Sequence, residues 1–151
     1  MSIEDSNLET VKHIVRIHEL ARKLVRAFVV QISTHDQSKL ESPEAEGFHK
    51  ILPRMKEVEF GSEEYEECKV LADEAIQHHY QHNRHHPEHH KRGVNDMNLI
   101  DILEMFVDWK AASERNKDGS LEKSIQYCCS KYEINPQLEE IFLNSIHLLE
   151  E

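Results

Sequence analysis

The segment QHHYQHNRHHPEHH, from Gln77 to His90, carries seven histidines in fourteen residues. Neutral imidazole is the commonest protein ligand for intermediate divalent metals, so this density makes metal binding the first chemistry to consider. On one continuous helix, His78, His82 and His85 share a face, and His79, His82 and His86 share the neighbouring one. Either set brings two or three ligands to one point. A solvated histidine-rich face with loose metal affinity is the competing reading, and it suits His89 and His90, which lie beyond Pro87. The run is interrupted at Tyr80, Asn83, Arg84 and Pro87 and lies mid-chain, which marks native sequence rather than a purification tag.

Two other segments hold groups of matching chemistry. In THDQSKLE, adjacent His35 and Asp36 offer an imidazole nitrogen and a carboxylate oxygen, a ligand pair that Mn, Fe, Co, Ni or Zn accepts. The same dipeptide also arises where an Asp merely caps the next helix. In NLIDILEMFVDWKAA, Asp101, Glu104 and Asp108 stand at i, i+3 and i+7 and stack along one helix face. Ile100, Ile102, Leu103, Phe106, Val107 and Trp109 cover most of the remaining circumference, which predicts a buried helix. A buried carboxylate needs a cation, a metal or several donors to offset its desolvation. The alternative is a solvated strip with a salt bridge from Asp108 or Glu104 to Arg115.

The elements that must position these groups are all helical. From about Ser6 to Ser33, Val11, Ile14, Leu20, Leu24, Phe28 and their neighbours recur at helical spacing opposite Arg16, Glu19, Lys23 and Arg26, which predicts a long amphipathic helix. His13 and His18 both fall in its apolar arc, each open as a core histidine or as a ligand. A shorter helix is predicted after Pro43, with Pro53 marking a kink or break. Another starts at Ser62 and runs through Val70, Leu71 and Ile76 to about Arg84. Asn95 or Asp96 caps a helix from Met97 to about Asn116, closed by a KDGS turn at Lys117 to Ser120. Helices over Leu121 to Lys131 and from Pro136 through Leu149 complete the chain. No strand alternation and no internal repeat interrupts this pattern. The expectation is one compact all-α domain over residues 1–151.

Composition narrows the partners. The 151 residues carry 29 acidic and 18 basic side chains, a formal charge of -11, which disfavours a polynucleotide unless basic groups cluster. Three cysteines, Cys68, Cys128 and Cys129, make no CxxC pair and a poor disulfide framework, which suits a reducing cytoplasm. The acidic start MSIEDSNLET is no secretory signal, and no stretch nears the ~18 apolar residues of a membrane span.

Taken in order, His13, the His35-Asp36 pair, the further histidines and Asp108 resemble the HD-domain superfamily of metal-dependent phosphohydrolases, whose ligands run H, HD, optional histidines, D. More narrowly, the segments KHIVRIHEL, HDQSKL, HHYQHNRHHPEHH and DMNLIDILEMFVDWKAASER look like a small uncharacterised family grouped as a domain of unknown function. That likeness spans nearly the whole chain. The superfamily resemblance implies an all-α, HD-domain-like bundle with metal ligands at His13, His35, Asp36 and Asp108, and with a second ion held by intervening histidines, His79 and His86 first and His78, His82 and His85 next. It implies one or two divalent ions, among Mn, Fe, Co, Ni, Zn and Mg. In one departure, Lys39 stands where nucleotidase-like members carry a glutamate three residues after the HD pair. The roles expected of the remaining residues are charge neutralisation on a phosphate by Lys39 and Arg84, and orientation of water or of a ligand imidazole by Glu104. The expected function is hydrolysis of a small nucleotide or other phosphoester by metal-activated water. The alternatives are a metal-binding or regulatory module with a structural site, and a metal-free interaction protein whose histidines form a pH-sensitive surface.

Overall fold

The computed structural model describes residues 2–59, 61–115 and 119–150, and among them are seven α-helices and no strand. The all-α expectation is met. Within the chain two compact units are described in turn, one ending at Thr34 and a second beginning at His35.

The first unit is the helix α1 (Ile3–Ile32), started by a capping box in which the Ser2 hydroxyl accepts from the Asp5 N–H and the Asp5 carboxylate accepts from the Ser2 N–H. None of its residues is buried. No helix among the described residues is long and apolar enough to cross a membrane.

The second unit has two apolar cores. Helices α2 (Glu44–Met55), α3 (Glu63–Val70) and α4 (Asp73–His82) pack around Ile51, Ala72, Ala75 and Ile76. Helices α5 (Leu99–Ser113), α6 (Leu121–Lys131) and α7 (Pro136–Ser145) pack around Met105, Phe106, Trp109, Ile125, Cys128 and Phe142. Trp109 meets the Phe142 ring edge-on at 5.3 Å, so it is spent on the core. The three cysteines are free and buried, and burial pushes Cys128 up to about 12 and Cys129 to about 11, leaving unreactive thiols.

Three boundaries differ from the sequence reading. The helix expected from Ser62 to about Arg84 breaks at Leu71 and Ala72, and Asp73 with Glu74 opens a new one where acidic groups meet the positive end of the helix dipole. Pro53 is accommodated inside the last turns of α2. Asn98, rather than Asn95 or Asp96, caps α5, its side chain accepting from Ile100 and Asp101 N–H groups. Of the expected KDGS turn, Lys117 and Asp118 lie outside the described residues, as does Asn116, while Ser120 caps α6.

At Gly47 α2 comes close to α4, since a Cβ built there would overlap the Ala75 methyl group. Gly47→Ala is therefore expected to destabilise the fold by about 1–3 kcal/mol, the usual cost of overpacking, and to lower the thermal midpoint read by circular dichroism by several degrees. An unchanged midpoint would count against so close a helix contact.

Candidate metal centre

His35 and Asp36 open the second unit in an irregular turn. Asp36 sits at φ 55, in the left-handed region that Asp tolerates better than most residues, and immediately precedes a 3-10 turn over Gln37–Leu40. Its side chain caps nothing. Instead Oδ1 faces Nε2 of His79 at 3.3 Å and Nε2 of His85 at 3.5 Å, while Oδ2 faces Nε2 of His35 at 3.5 Å and the Lys39 ammonium.

The histidine segment reaches this point because it stops being helical. Asn83 leaves α4 with extended backbone, and its side-chain amide donates to the His79 carbonyl at 2.9 Å and the Ser38 hydroxyl at 2.7 Å. Pro87 then disfavours helical geometry at His86, which is extended at φ -92 and ψ 128. The chain folds back, so that His86 Nε2 stands 2.8 Å from His79 Nε2 and the His85 ring lies 4.2 Å from that of His86. From α5, Asp108 presents Oδ1 to His35 Nε2 at 3.6 Å and Oδ2 to His85 Nε2 at 4.0 Å.

Two buried glutamates orient the imidazoles. Glu44, in the first turn of α2, is paired through one oxygen with His78 Nδ1 at 2.7 Å and through the other with His79 Nδ1 at 2.8 Å. Glu104 is paired through Oε1 with His35 Nδ1 at 2.8 Å and with His85 Nδ1 at 3.3 Å. A carboxylate on Nδ1 fixes the ring and leaves Nε2 facing inward, the usual outer support of a metal-binding histidine.

Charge states follow from the same contacts. Burial raises the Asp108 carboxyl, but the hydrogen bond from His35 and the nearby cationic groups outweigh it and hold the acid below its usual range. Glu44 behaves likewise, with burial opposed by hydrogen bonds from His78, Ser38 and His79. Burial pushes His79 below its ordinary value, and burial with neighbouring His85 and His79 pushes His86 well below. His35 moves the other way, up to about 10, because Asp108 and Glu104 hydrogen-bond its protonated form.

The residues fit a metal ion. Asp36, His79, His85 and His86 form one group and His35, His85 and Asp108 another, each with ligand atoms within 4.8 Å of one another. Two atoms that each lie ~2.1 Å from a common ion are at most about 4.2 Å apart, and the Nε2-to-oxygen separations given above fall inside that bound. Asp36 Oδ1 and His85 Nε2 are moreover buried without any hydrogen-bond partner, although they face each other. A buried polar pair of this kind is costly unless something satisfies both members, and a cation accepts from both.

Of the expected ligands, the structure gathers His35, Asp36, His79, His86 and Asp108. His13 lies exposed on α1 in the first unit and belongs to neither group. His85, which the sequence set behind His79 and His86 as a ligand, is common to both groups; on a straight helix it would have shared a face with His78 and His82, whereas the turn at Asn83 turns it inward. His82 stays exposed and stacks on His78 with ring centres 4.0 Å apart. Lys39 stands at the site beside Asp36. Arg84 does not serve the site: it forms a bidentate pair with buried Asp101, at 3.1 and 2.9 Å. Glu104 supports imidazoles, the second of its two expected roles. Glu44 was not foreseen; an acid following Pro43 at a helix start carries no signal separable from ordinary dipole matching.

Fold and site together define an all-helical protein with a buried histidine–carboxylate cluster able to hold a metal ion. The chain belongs to a family of unknown function, DUF5662, whose profile matches residues 2–148. The narrower of the two resemblances read from the sequence is thereby borne out. No curated protein and no solved structure matches the chain.

Proposed function

We propose that the cluster is a divalent-metal centre of hydrolytic type and that the protein is a metal-dependent phosphohydrolase of HD-domain kind, acting on a small nucleotide or other phosphoester. The observation that carries this reading is the convergence of four Nε2 atoms on Asp36 and Asp108 with carboxylates fixing the far side of three of the rings. Asp36 turns one oxygen toward each ligand group, the placement needed for a carboxylate shared by two adjacent ions.

The two groups differ in a way that bears on chemistry. Asp36, His79, His85 and His86 offer four ligands, with His79 and His85 buried, the closed kind of set found in structural sites. His35, His85 and Asp108 offer three, and His35 and Asp108 keep 27% and 20% of their side-chain surface, the open kind that leaves room for water and substrate. When bound, the ion lowers the pKa of a coordinated water and polarises a phosphoryl oxygen. The chain's own contributions are to hold His79 and His86 neutral and Asp108 ionised, and to fix the rings through Glu44 and Glu104. Lys39, one third exposed beside Asp36, stands where it can pair with an anionic substrate. A saturated site built on the four-ligand group alone is the second reading, and it predicts a non-catalytic module.

Elemental analysis of tag-free protein after dialysis, followed by phosphate release from a panel of nucleotides and phosphomonoesters, tests both. Stoichiometric divalent metal with metal-dependent phosphate release is the expected result. Stoichiometric metal with no turnover would favour the structural site, and metal-free protein that takes up no added Mn, Co, Ni or Zn would overturn the centre itself.

A further inference from the structure

His85 is common to both ligand groups, yet it can serve only one ion at a time. Its Nδ1 faces Glu104 Oε1 at 3.3 Å, which leaves Nε2 as the ligand atom. Nε2 stands 3.5 Å from Asp36 Oδ1 and 4.0 Å from Asp108 Oδ2, and it is buried with no hydrogen-bond partner of its own. A neutral imidazole has one acceptor nitrogen with a single lone pair, so it binds one ion and does not bridge two. Asp36 differs, because a carboxylate has two oxygens and this one turns Oδ1 toward His79 and Oδ2 toward His35.

Ligand count sets the order of filling. Asp36, His79, His85 and His86 offer four ligands against three from His35, His85 and Asp108, so a first ion takes the larger set with His85 in it. A second ion would then find only His35 and Asp108, one short of the three protein ligands typical of a catalytic zinc site. Giving the His85 lone pair to the second ion leaves Asp36, His79 and His86 on the first and puts His35, His85 and Asp108 on the second. Nε2 already lies within 4.0 Å of both carboxylates, so the exchange needs only a small turn of the ring, with Glu104 on Nδ1 as its pivot.

We infer that His85 is an exchangeable ligand, which passes from the four-membered group to the three-membered one when a second divalent ion binds. With one ion the larger group is closed; with two, each ion keeps three protein ligands and a position for water, so hydrolysis requires both. This inference rests on the metal centre proposed above.

Cadmium-113 NMR on the full chain labelled with nitrogen-15 histidine tests it, because coupling between cadmium and nitrogen identifies each ligand ring. The His85 signal is assigned by its loss in His85→Gln. At one equivalent of cadmium, one cadmium signal coupled to His79, His85 and His86 is expected. At two equivalents a second signal should appear, with the His85 coupling lost from the first and found on the second beside that of His35. Asp108→Asn, which takes the anion from the smaller group, should leave the one-equivalent spectrum unchanged and keep His85 on the first cadmium at two equivalents. A wild-type chain in which His85 stays coupled to the same cadmium throughout, or which holds a single ion at saturation, would overturn the exchange and leave the metal centre standing. A chain that binds no cadmium would overturn both.

Discussion

Asp36→Ala is expected to strip the protein of bound metal. Its Oδ1 faces His79 and His85 and its Oδ2 faces His35, so one substitution removes the only anionic ligand of the four-membered group and a carboxylate oxygen beside the other. What remains around His79, His85 and His86 is three imidazoles without a negative charge, a set that binds intermediate divalent ions far less tightly at neutral pH. The loss should exceed the 10- to 100-fold typical when an outer supporting carboxylate is removed. Stability separates this from simple damage. In the metal-free protein deleting Asp36 Oδ1 removes a buried acceptor without a partner, which offsets part of what is lost with the Lys39 pairing of Oδ2 and with alanine at a left-handed φ. The metal-free variant should therefore stay folded and melt only a few degrees below the metal-free wild type. Added metal should raise only the wild type, by about 2.7 kcal/mol at a concentration of 100 Kd. Equal stabilisation of both proteins by metal would show that the ion binds elsewhere. Asp36→Asn, which keeps the shape and one oxygen, should fall between them.

The composition of this centre was largely legible from residue types, while its geometry was not. An adjacent histidine and aspartate, a histidine-rich segment and a stripe of three acids on an otherwise apolar helix are each ambiguous alone. They agree only if all face one another. The stripe on α5 was readable because helical periodicity fixes which residues share a face, and Asp101, Glu104 and Asp108 do meet polar partners, Arg84, His35 and His85, rather than the apolar core. Which partner each acid takes was not readable, since Asp101 goes to Arg84 while Glu104 and Asp108 go to histidines, and all three have the same local sequence context. His85 illustrates the other limit. Carrying the helix on to about Arg84 set its ring beside His78 and His82, but Asn83 and Pro87 end the helix first and return His85 to the centre. Pro87 was in view as a helix breaker, yet the direction of the returning chain depends on tertiary hydrogen bonds from Asn83 to Ser38 that no local rule supplies. The same holds for α1. Its amphipathic pattern predicted the helix, but periodicity alone does not say what an apolar face packs against.

Replacing Glu104 is expected to weaken metal binding through two ligands at once and to change how that binding depends on pH. Its Oε1 supports Nδ1 of both His35 and His85, so Glu104→Ala frees two rings to reorient and should cost at least the 10- to 100-fold associated with one such contact. The pH effect follows from His35. In the metal-free protein its proton is held up to about 10, by Asp108 first and Glu104 second, and a ligand imidazole must give that proton up. Wild-type affinity is therefore expected to rise with pH, by as much as about tenfold per unit, until the pH passes the raised value. The same raised value stabilises the metal-free fold most fully below the ordinary histidine range, and that gain fades as pH climbs toward 10. Glu104→Gln keeps an acceptor for Nδ1–H but removes the charge, so His35 should release its proton earlier and the rise in affinity should level off at lower pH. Competition with a chelator of known pH behaviour, run from pH 6 to 10 on wild type, Glu104→Gln and Glu104→Ala, reads both effects. Parallel curves differing only in height would assign Glu104 a purely steric role. Coincident curves would mean that neither His35 nor His85 depends on Glu104 to hold the ion, which overturns its supporting role.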